Sequence, residues 1–190
     1  LLSLLAGVLL PQSGRVALGG VHWGDLRATA RDRHRVDHVG YIFQQFNLLP
    51  YLTALDNVLL PCRFSARRRE AAARNARSLR AEGQHWLAGM GLDASVWERP
   101  AHTLSVGQQQ RVAAARALVG QPGLVIADEP TSALDEDRRD IFLDLLLSAC
   151  AAAGSALVLV SHDRRIAQRF GREVSLPQIN RAARAVEGDT

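Results

Sequence analysis

Lysine is missing from this sequence: all 23 of its Lys and Arg positions are arginine. A glycine-rich phosphate loop of the form GxxxxGK[ST] needs a lysine to reach the β- and γ-phosphates, so no such loop lies within these residues. Cysteine is scarce as well. Cys62 and Cys150 stand far apart without CxxC spacing, which argues against a disulfide framework or a metal site and suits ordinary thiols in a reducing compartment. Long apolar runs are also lacking. The opening "LLSLLAGVLL" stops at Pro11-Gln12-Ser13-Gly14, short of the roughly 18 residues of a membrane span. It also lacks the positively charged flank of a secretory signal.

What remains is ordinary for a globular chain. With 190 residues, 47% hydrophobic and 22% charged, the sequence reads as one domain large enough to bury a core. The net charge is +4, and arginines crowd into "SARRREAAARNARSLR". Such a run could meet nucleic acid or an anionic membrane, but Glu70 and the interspersed alanines favour a solvated helix face. His34 and His38 have the i, i+4 spacing of a zinc pair, yet "HRVDH" lacks the glutamate of HExxH, so no metal is expected there.

The pattern along the chain is α/β. The opening apolar segment reads as a helix that gives way at Pro11 to a short strand-like "GRVALGG" and a polar segment, "DLRATARDRHRVD". "HVGYIFQ" has the β-branched and aromatic content of a strand. "TALDNVLLP" reads as a helix capped by Thr53, with Asp56 three residues on. Ser65 to about Met90 is helical, anchored by Leu79, Trp86, Leu87 and Met90. Then "SVGQQQRVAAARALVG" and "DEDRRDIFLDLLLSACAAAG" read as helices, and "GLVIAD" and "SALVLVSHD" as buried strands. A helix near "RRIAQRF" and a strand at "REVSL" complete the expectation. Apolar strands separated by helices indicate a parallel sheet covered on both faces, with a helical lobe inserted after Cys62.

Four stretches carry candidate chemistry. "LVIADEPTSALD", residues 124–135, ends a strand in Asp128-Glu129, and ligands of open α/β sheets bind at the carboxyl ends of strands. Adjacent side chains there point different ways. One carboxylate can hold Mg²⁺, usually through water, while the other polarises an attacking water. A strand entering an acidic turn before a capped helix would read the same way. "LSVGQQQRVAAARAL", residues 104–118, sets Ser105 and Gly107 ahead of a helix, whose N-terminus is a seat for phosphate; a plain serine cap is the alternative. "VGYIFQQF" ends a strand in Gln44, a neutral group able to ligate Mg²⁺ and orient water. "LVLVSHD" ends another in His162, placed for a terminal phosphate or simply a structural histidine.

In this order and spacing the four stretches resemble the ATP-binding cassette ATPases, the motor subunits of ABC transporters, over about residues 1–176. The resemblance implies a RecA-like P-loop NTPase core with an inserted helical lobe. It makes Gln44 the Q-loop glutamine and Leu104 to Gln108 the signature, with Ser105, Gly107 and Gln108 on nucleotide. Asp128 corresponds to the Walker B aspartate supporting Mg²⁺, alongside Gln44, and Glu129 to the general base. Ser132 to Asp135, "SALD", resembles the D-loop, and His162 the switch histidine on the γ-phosphate. ATP and Mg²⁺ are the implied cofactors. Residues 1–61 and 116–176 form the implied core, 62–115 the helical subdomain, and 177–190 a tail without an assignable motif.

Two departures stand out. Val106 replaces the first glycine of the usual LSGGQ signature, while Ser105 and Gly107 are intact. The phosphate loop is the other: the family's helix leaving that loop reads much like "LLSLLAGVLLPQSG", so the resemblance implies a chain starting just after the loop, without it or the N-terminal strands. Residues 1–190 alone are then expected to fold poorly and to bind ATP weakly. "FQQFNLLPYLTALDNVLLP" most resembles the subfamily serving lipoprotein-release and macrolide-type export. That role implies a peripheral subunit on the cytoplasmic face of the cell membrane, a second ATPase subunit, and a transmembrane permease contacted through Phe46–Leu52. A soluble cassette ATPase acting on nucleic acid or ribosomes would need long coiled coils between Gln44 and Ser105 or a second cassette, so no nucleic acid is expected. A degenerate scaffold would have lost Glu129 or His162, and both are present.

Overall fold

A computed structural model describes residues 1–180 apart from Ala133, and the side chains there apart from that of Asn75. In chain order the elements are α1 (Leu2–Leu5), β1 (Ala17–Leu18), β2 (Val21–His22), α2 (Ala28–His38) and β3 (Val39–Ile42). Next come α3 (Ala54–Phe64), α4 (Ala66–Asn75), α5 (Leu79–Gly89), α6 (Val106–Leu118) and β4 (Leu124–Asp128). The remainder is α7 (Glu136–Ala153), β5 (Ala156–Val160), α8 (Arg164–Ala167) and α9 (Leu176–Ile179). They divide into two units, Leu1–Val160 and the residues from Ser161 onward.

In the first unit, β3, β4 and β5 form a parallel sheet with β4 in the centre. Val39 to Ile42 pair with Leu124 to Ala127, and Leu124 to Asp128 with Ala156 to Val160. Parallel strands need both faces covered, and both are. Ile42, Val125 and Ala127 face the main core with α6, α7 and the helical lobe. Val39 and Ile126 face a smaller cluster built on Trp23 and Ala6.

The helices form where side-chain caps satisfy their free N–H groups. Thr53, Ser65 and Ser78 accept from the backbone N–H groups of Asp56, Arg68 and Ala81, starting α3, α4 and α5. Ser105 and Gln108 cap α6 reciprocally, a capping box. The division expected at Cys62 falls inside α3, whose Ala54, Leu55 and Val58 share one buried core with Leu87, Met90 and Val112.

Three segments differ from the sequence expectation. The opening helix is confined to Leu2–Leu5. Gly7 turns the chain at φ +69°, and the Trp23 ring occupies the space its side chain would need, 2.5 Å from an ideal Cβ. Val8, Leu9 and Leu10 are left exposed. The polar stretch before β3 is helix α2. Its half-buried face is lined by Arg31, His34, Arg35 and His38, with His34 edge-on to Trp23 at 5.2 Å, so hydrophobic periodicity is silent there. No strand forms at "REVSL" among the described residues: Val174 is exposed, and Pro177 sits in the first turn of α9, a position that suits proline. Most of the tail, residues 181–190, lies outside the described residues.

Helix α6 lies against β3 at backbone distance. An ideal Cβ on Gly40 would be 2.1 Å from the carbonyl oxygen of Ala117. Arg68, 2% exposed, donates Nε to the Val119 carbonyl at 2.9 Å and Nη2 to that of Ala117 at 2.5 Å. It thereby satisfies the end of α6, where the helix dipole favours a cation. Burial still pulls its pKa down to about 10. Gly40→Ala therefore sets a methyl against the α6 backbone. In the complete protein it is expected to cost about 2–3 kcal/mol, read as a lower urea midpoint at unchanged m-value.

Candidate functional site

The sheet register decides which candidate residues meet. Ile42 ends β3 opposite Ala127 of β4, so the chain after β3, carrying Gln44, and the chain at Asp128-Glu129 leave the sheet at the same edge. Asp128 is half-buried and paired with Val160. It lies on the same face as Tyr41, which is registered with Ile126. Burial first, and the Asp128 charge second, push the Tyr41 phenol above its ordinary pKa. Tyr41 stacks on Phe43 with ring centroids 4.2 Å apart, forming an aromatic wall beside the carboxylate.

Glu129 leaves the strand in the left-handed region, φ +47°. Its N–H donates to the Val160 carbonyl at 3.1 Å, extending the sheet bonding one residue past β4. Its own carbonyl accepts from the N–H of Ser132 at 3.3 Å and from the Ser132 hydroxyl at 3.1 Å. The turn re-aims the second carboxylate relative to the first. Left-handed backbone is unfavourable for a glutamate, and such strain concentrates at functional sites.

Gln44 is exposed, in a turn closed by the Phe46 N–H on the Phe43 carbonyl at 3.0 Å. Phe46 and Asn47 follow at φ +60° and +49°. Within the segment Phe46–Leu52 expected to dock, Phe46 itself does not fit that role. Phe46 is only 9% exposed and belongs to the main core, with Leu48 packed against that core, because the left-handed turn swings the ring inward. Tyr51, in contrast, is 72% exposed. The loop is held by Asn57, fully buried, which accepts from the Leu49 N–H at 2.8 Å and donates to the carbonyls of Leu49, Leu52 and Thr53.

The signature residues lie apart from that edge. Ser105 is exposed, and its hydroxyl accepts from the Gln108 N–H while Gln108 Oε1 accepts from the Ser105 N–H at 2.9 Å. Nothing lies within 4 Å of the space beside Gly107. From this end of α6 to Arg116, whose side chain reaches the carbonyls of Phe46 and Asn47, is about 15 Å of helix. Asp135 caps α7, accepting from the Arg138 N–H at 2.9 Å. It follows Ser132 and Leu134 in the expected D-loop, whose Ala133 lies outside the described residues. His162 is exposed and belongs to the second unit, two residues past the end of β5.

Two polar residues of α6 escaped the sequence reading. Gln110, 1% exposed, donates Nε2 to the carbonyl of Pro130, just after Glu129. Arg116, 9% exposed, donates to the carbonyls of Phe46 and Asn47 at 2.7 and 2.6 Å. The available signal was composition: two long polar side chains in a helix whose alanines mark burial must find partners inside.

A parallel sheet with Asp128-Glu129 closing its central strand, a glutamine turn closing the neighbouring strand, and a capped glycine-bearing helix behind them define an ATP-binding cassette. The pattern of the ABC transporter family matches residues 1–132, and the chain belongs to that family, as the ATP-hydrolysing subunit type. Among curated relatives, it is 39% identical over 176 residues to the lipoprotein-releasing system ATP-binding protein LolD of Legionella pneumophila, covering 93% of this chain and 74% of that one. It is 38% identical over 179 residues to LolD 1 of Caulobacter vibrioides, covering 93% and 72%. Among solved structures it resembles a dimeric post-hydrolysis state of the ATP-binding cassette MJ0796 bound to ADP and Pi. That likeness has a TM-score of 0.72 and 33% identity, over 88% of this chain and 70% of that one.

The cap at Ser105 makes a separable prediction. Ser105→Ala is expected to cost about 1 kcal/mol of stability, and Ser105→Asp, which still caps, close to nothing. Thermal unfolding of the two variants checks the order.

Proposed function

We propose that this subunit hydrolyses ATP with Mg²⁺ to power lipoprotein release or a related export through a separate membrane permease. The observation that carries the reading is the pair Asp128-Glu129 at the end of β4, turned apart by the left-handed backbone at Glu129 and sharing a sheet edge with the Gln44 turn. The names of the 38–39% identical relatives support the substrate class. Mg²⁺ suits the donors: a carboxylate and an amide oxygen from neighbouring strand ends are hard ligands that leave room for water and phosphate oxygens. When bound, the ion neutralises charge developing on the phosphates.

The protein's own residues then divide the work. Asp128 and Gln44 hold the metal side of the nucleotide. Glu129 takes a proton from the attacking water, and His162 contacts the terminal phosphate. Ser105, Gly107 and Gln108 meet nucleotide held by a second subunit, with Asp135 in the D-loop beside that interface. The dimeric form of the structural relative supports a site made by two copies. The names of the relatives, ATP-binding proteins of a lipoprotein-releasing system, support a subunit that passes its stroke to a membrane partner and sits peripherally on the cytoplasmic face. Tyr51 is the exposed aromatic of the contact segment and the one that docks.

In the complete protein, Glu129→Gln is expected to lower turnover roughly 10²–10⁴-fold while sparing ATP binding, and to accumulate an ATP-bound dimer. Turnover by a phosphate-release assay and size by light scattering decide it; unchanged hydrolysis removes Glu129 from the role. Tyr51→Ala is expected to preserve folding and nucleotide affinity and to lose stimulation by the permease. Stimulation equal to the parent protein's moves the contact elsewhere.

A further inference from the structure

Arg116 is a buried cation whose contacts fall on the Gln44 loop. It sits in the last turn of α6, and among the described residues no carboxylate forms an ion pair with it. Its two terminal nitrogens instead donate to consecutive carbonyls, those of Phe46 and Asn47, at 2.7 and 2.6 Å. A guanidinium fork can grip two adjacent carbonyls in fixed geometry; an ammonium cannot. The gripped residues are the two that follow the Gln44 turn in left-handed backbone, φ +60° and +49°. A non-glycine pair in that region persists where its surroundings over-determine it. Burial lowers the Arg116 pKa to about 10, so desolvation of this charge is accepted for the sake of the contact.

The same helix holds the other strand exit. Gln110 donates to the carbonyl of Pro130, directly after Glu129. The side chains of α6 therefore reach the loop behind Gln44 and the turn behind Glu129, while its first residues carry the signature.

We infer that Arg116 is a positioning residue of the reaction, which fixes the turn presenting Gln44 through the Phe46 and Asn47 carbonyls and fastens that turn to the helix headed by Ser105. This rests on the proposed role of Gln44 at the nucleotide. Arg116 touches no substrate and acts through the loop. A displacement of α6, as when its N-terminus engages the second subunit's nucleotide, is passed to Gln44 through these two hydrogen bonds.

The test is a double-mutant cycle in the complete protein, with Gln44→Ala, Arg116→Lys and their combination assayed for kcat and KM with MgATP, alongside thermal unfolding. Arg116→Lys keeps the charge and gives up the fork. Each single variant is expected to lower kcat about 10–10²-fold, and the double variant to be no slower than the slower single, because both act at one point. Losses that multiply mean Arg116 acts elsewhere, and the inference is overturned while Gln44 keeps its role. An unchanged kcat in Gln44→Ala overturns the proposed role of Gln44 itself. Should Arg116→Lys not fold, Asn47→Gly loosens the turn from the other side, since glycine accepts the left-handed backbone while constraining it less. It is expected to slow turnover non-additively with Gln44→Ala, and parental kcat in Asn47→Gly also overturns the inference.

Discussion

The close seating of α6 on β3 is the contact on which the rest of the first unit depends. Ala113, Ala114, Ala115 and Ala117 are at most 2% exposed, and short side chains let the helix axis come near the sheet. Gly40 removes the remaining obstacle, so that the Ala117 carbonyl lies where a side chain would otherwise be. Interiors are packed densely enough that such an approach tolerates little change. Once α6 is fixed there, Arg68 can reach its end, Arg116 can reach the Gln44 loop, and Gln110 can reach Pro130. The other side of α6 receives α3 and α5, so the helical lobe and the sheet share one core rather than meeting at a polar boundary. A helix that reaches both the loop after Gln44 and the turn after Glu129 acts as a common reference for them.

The buried arginines and Asn57 of that core are met by backbone, whereas the buried Glu82 accepts from the Trp86 indole N–H at 2.7 Å. Arg68, Arg116 and Asn57 are all buried, and the bonds of the two arginines and the donated bonds of Asn57 end on main-chain carbonyls. Buried charges are ordinarily paired with opposite charge. Here they take up carbonyls that loops and helix ends leave unsatisfied, and so fix irregular segments that hydrophobic packing alone would leave several ways to lie.

The parts of the fold that were legible in the sequence are those governed by local rules. The strands at "HVGYIFQ", "GLVIAD" and "SALVLVSHD" and the cap at Thr53 follow from side-chain type and spacing, and the candidate acids fall at a strand end. What escaped depends on distant partners. Helix α2 turns arginine and histidine rather than a row of apolar residues to its half-buried face, which leaves no periodic signal. The opening helix is cut short by a tryptophan 16 positions after Gly7. Phe46 looked like a docking residue because its left-handed backbone, and hence its inward direction, has no signature in composition. For Arg116 and Gln110 the alanine-rich helix signals burial, but their partners are carbonyls of segments far along the chain, which no local pattern names.

The backbone at Glu129 carries a consequence for how this sequence can drift. Glycine, and to a lesser degree asparagine, fits a φ of +47° better than glutamate does, with relief on the order of 1 kcal/mol. Backbone strain taken alone thus favours another residue at this position, and a glutamate kept there is held against a standing local cost in the main chain.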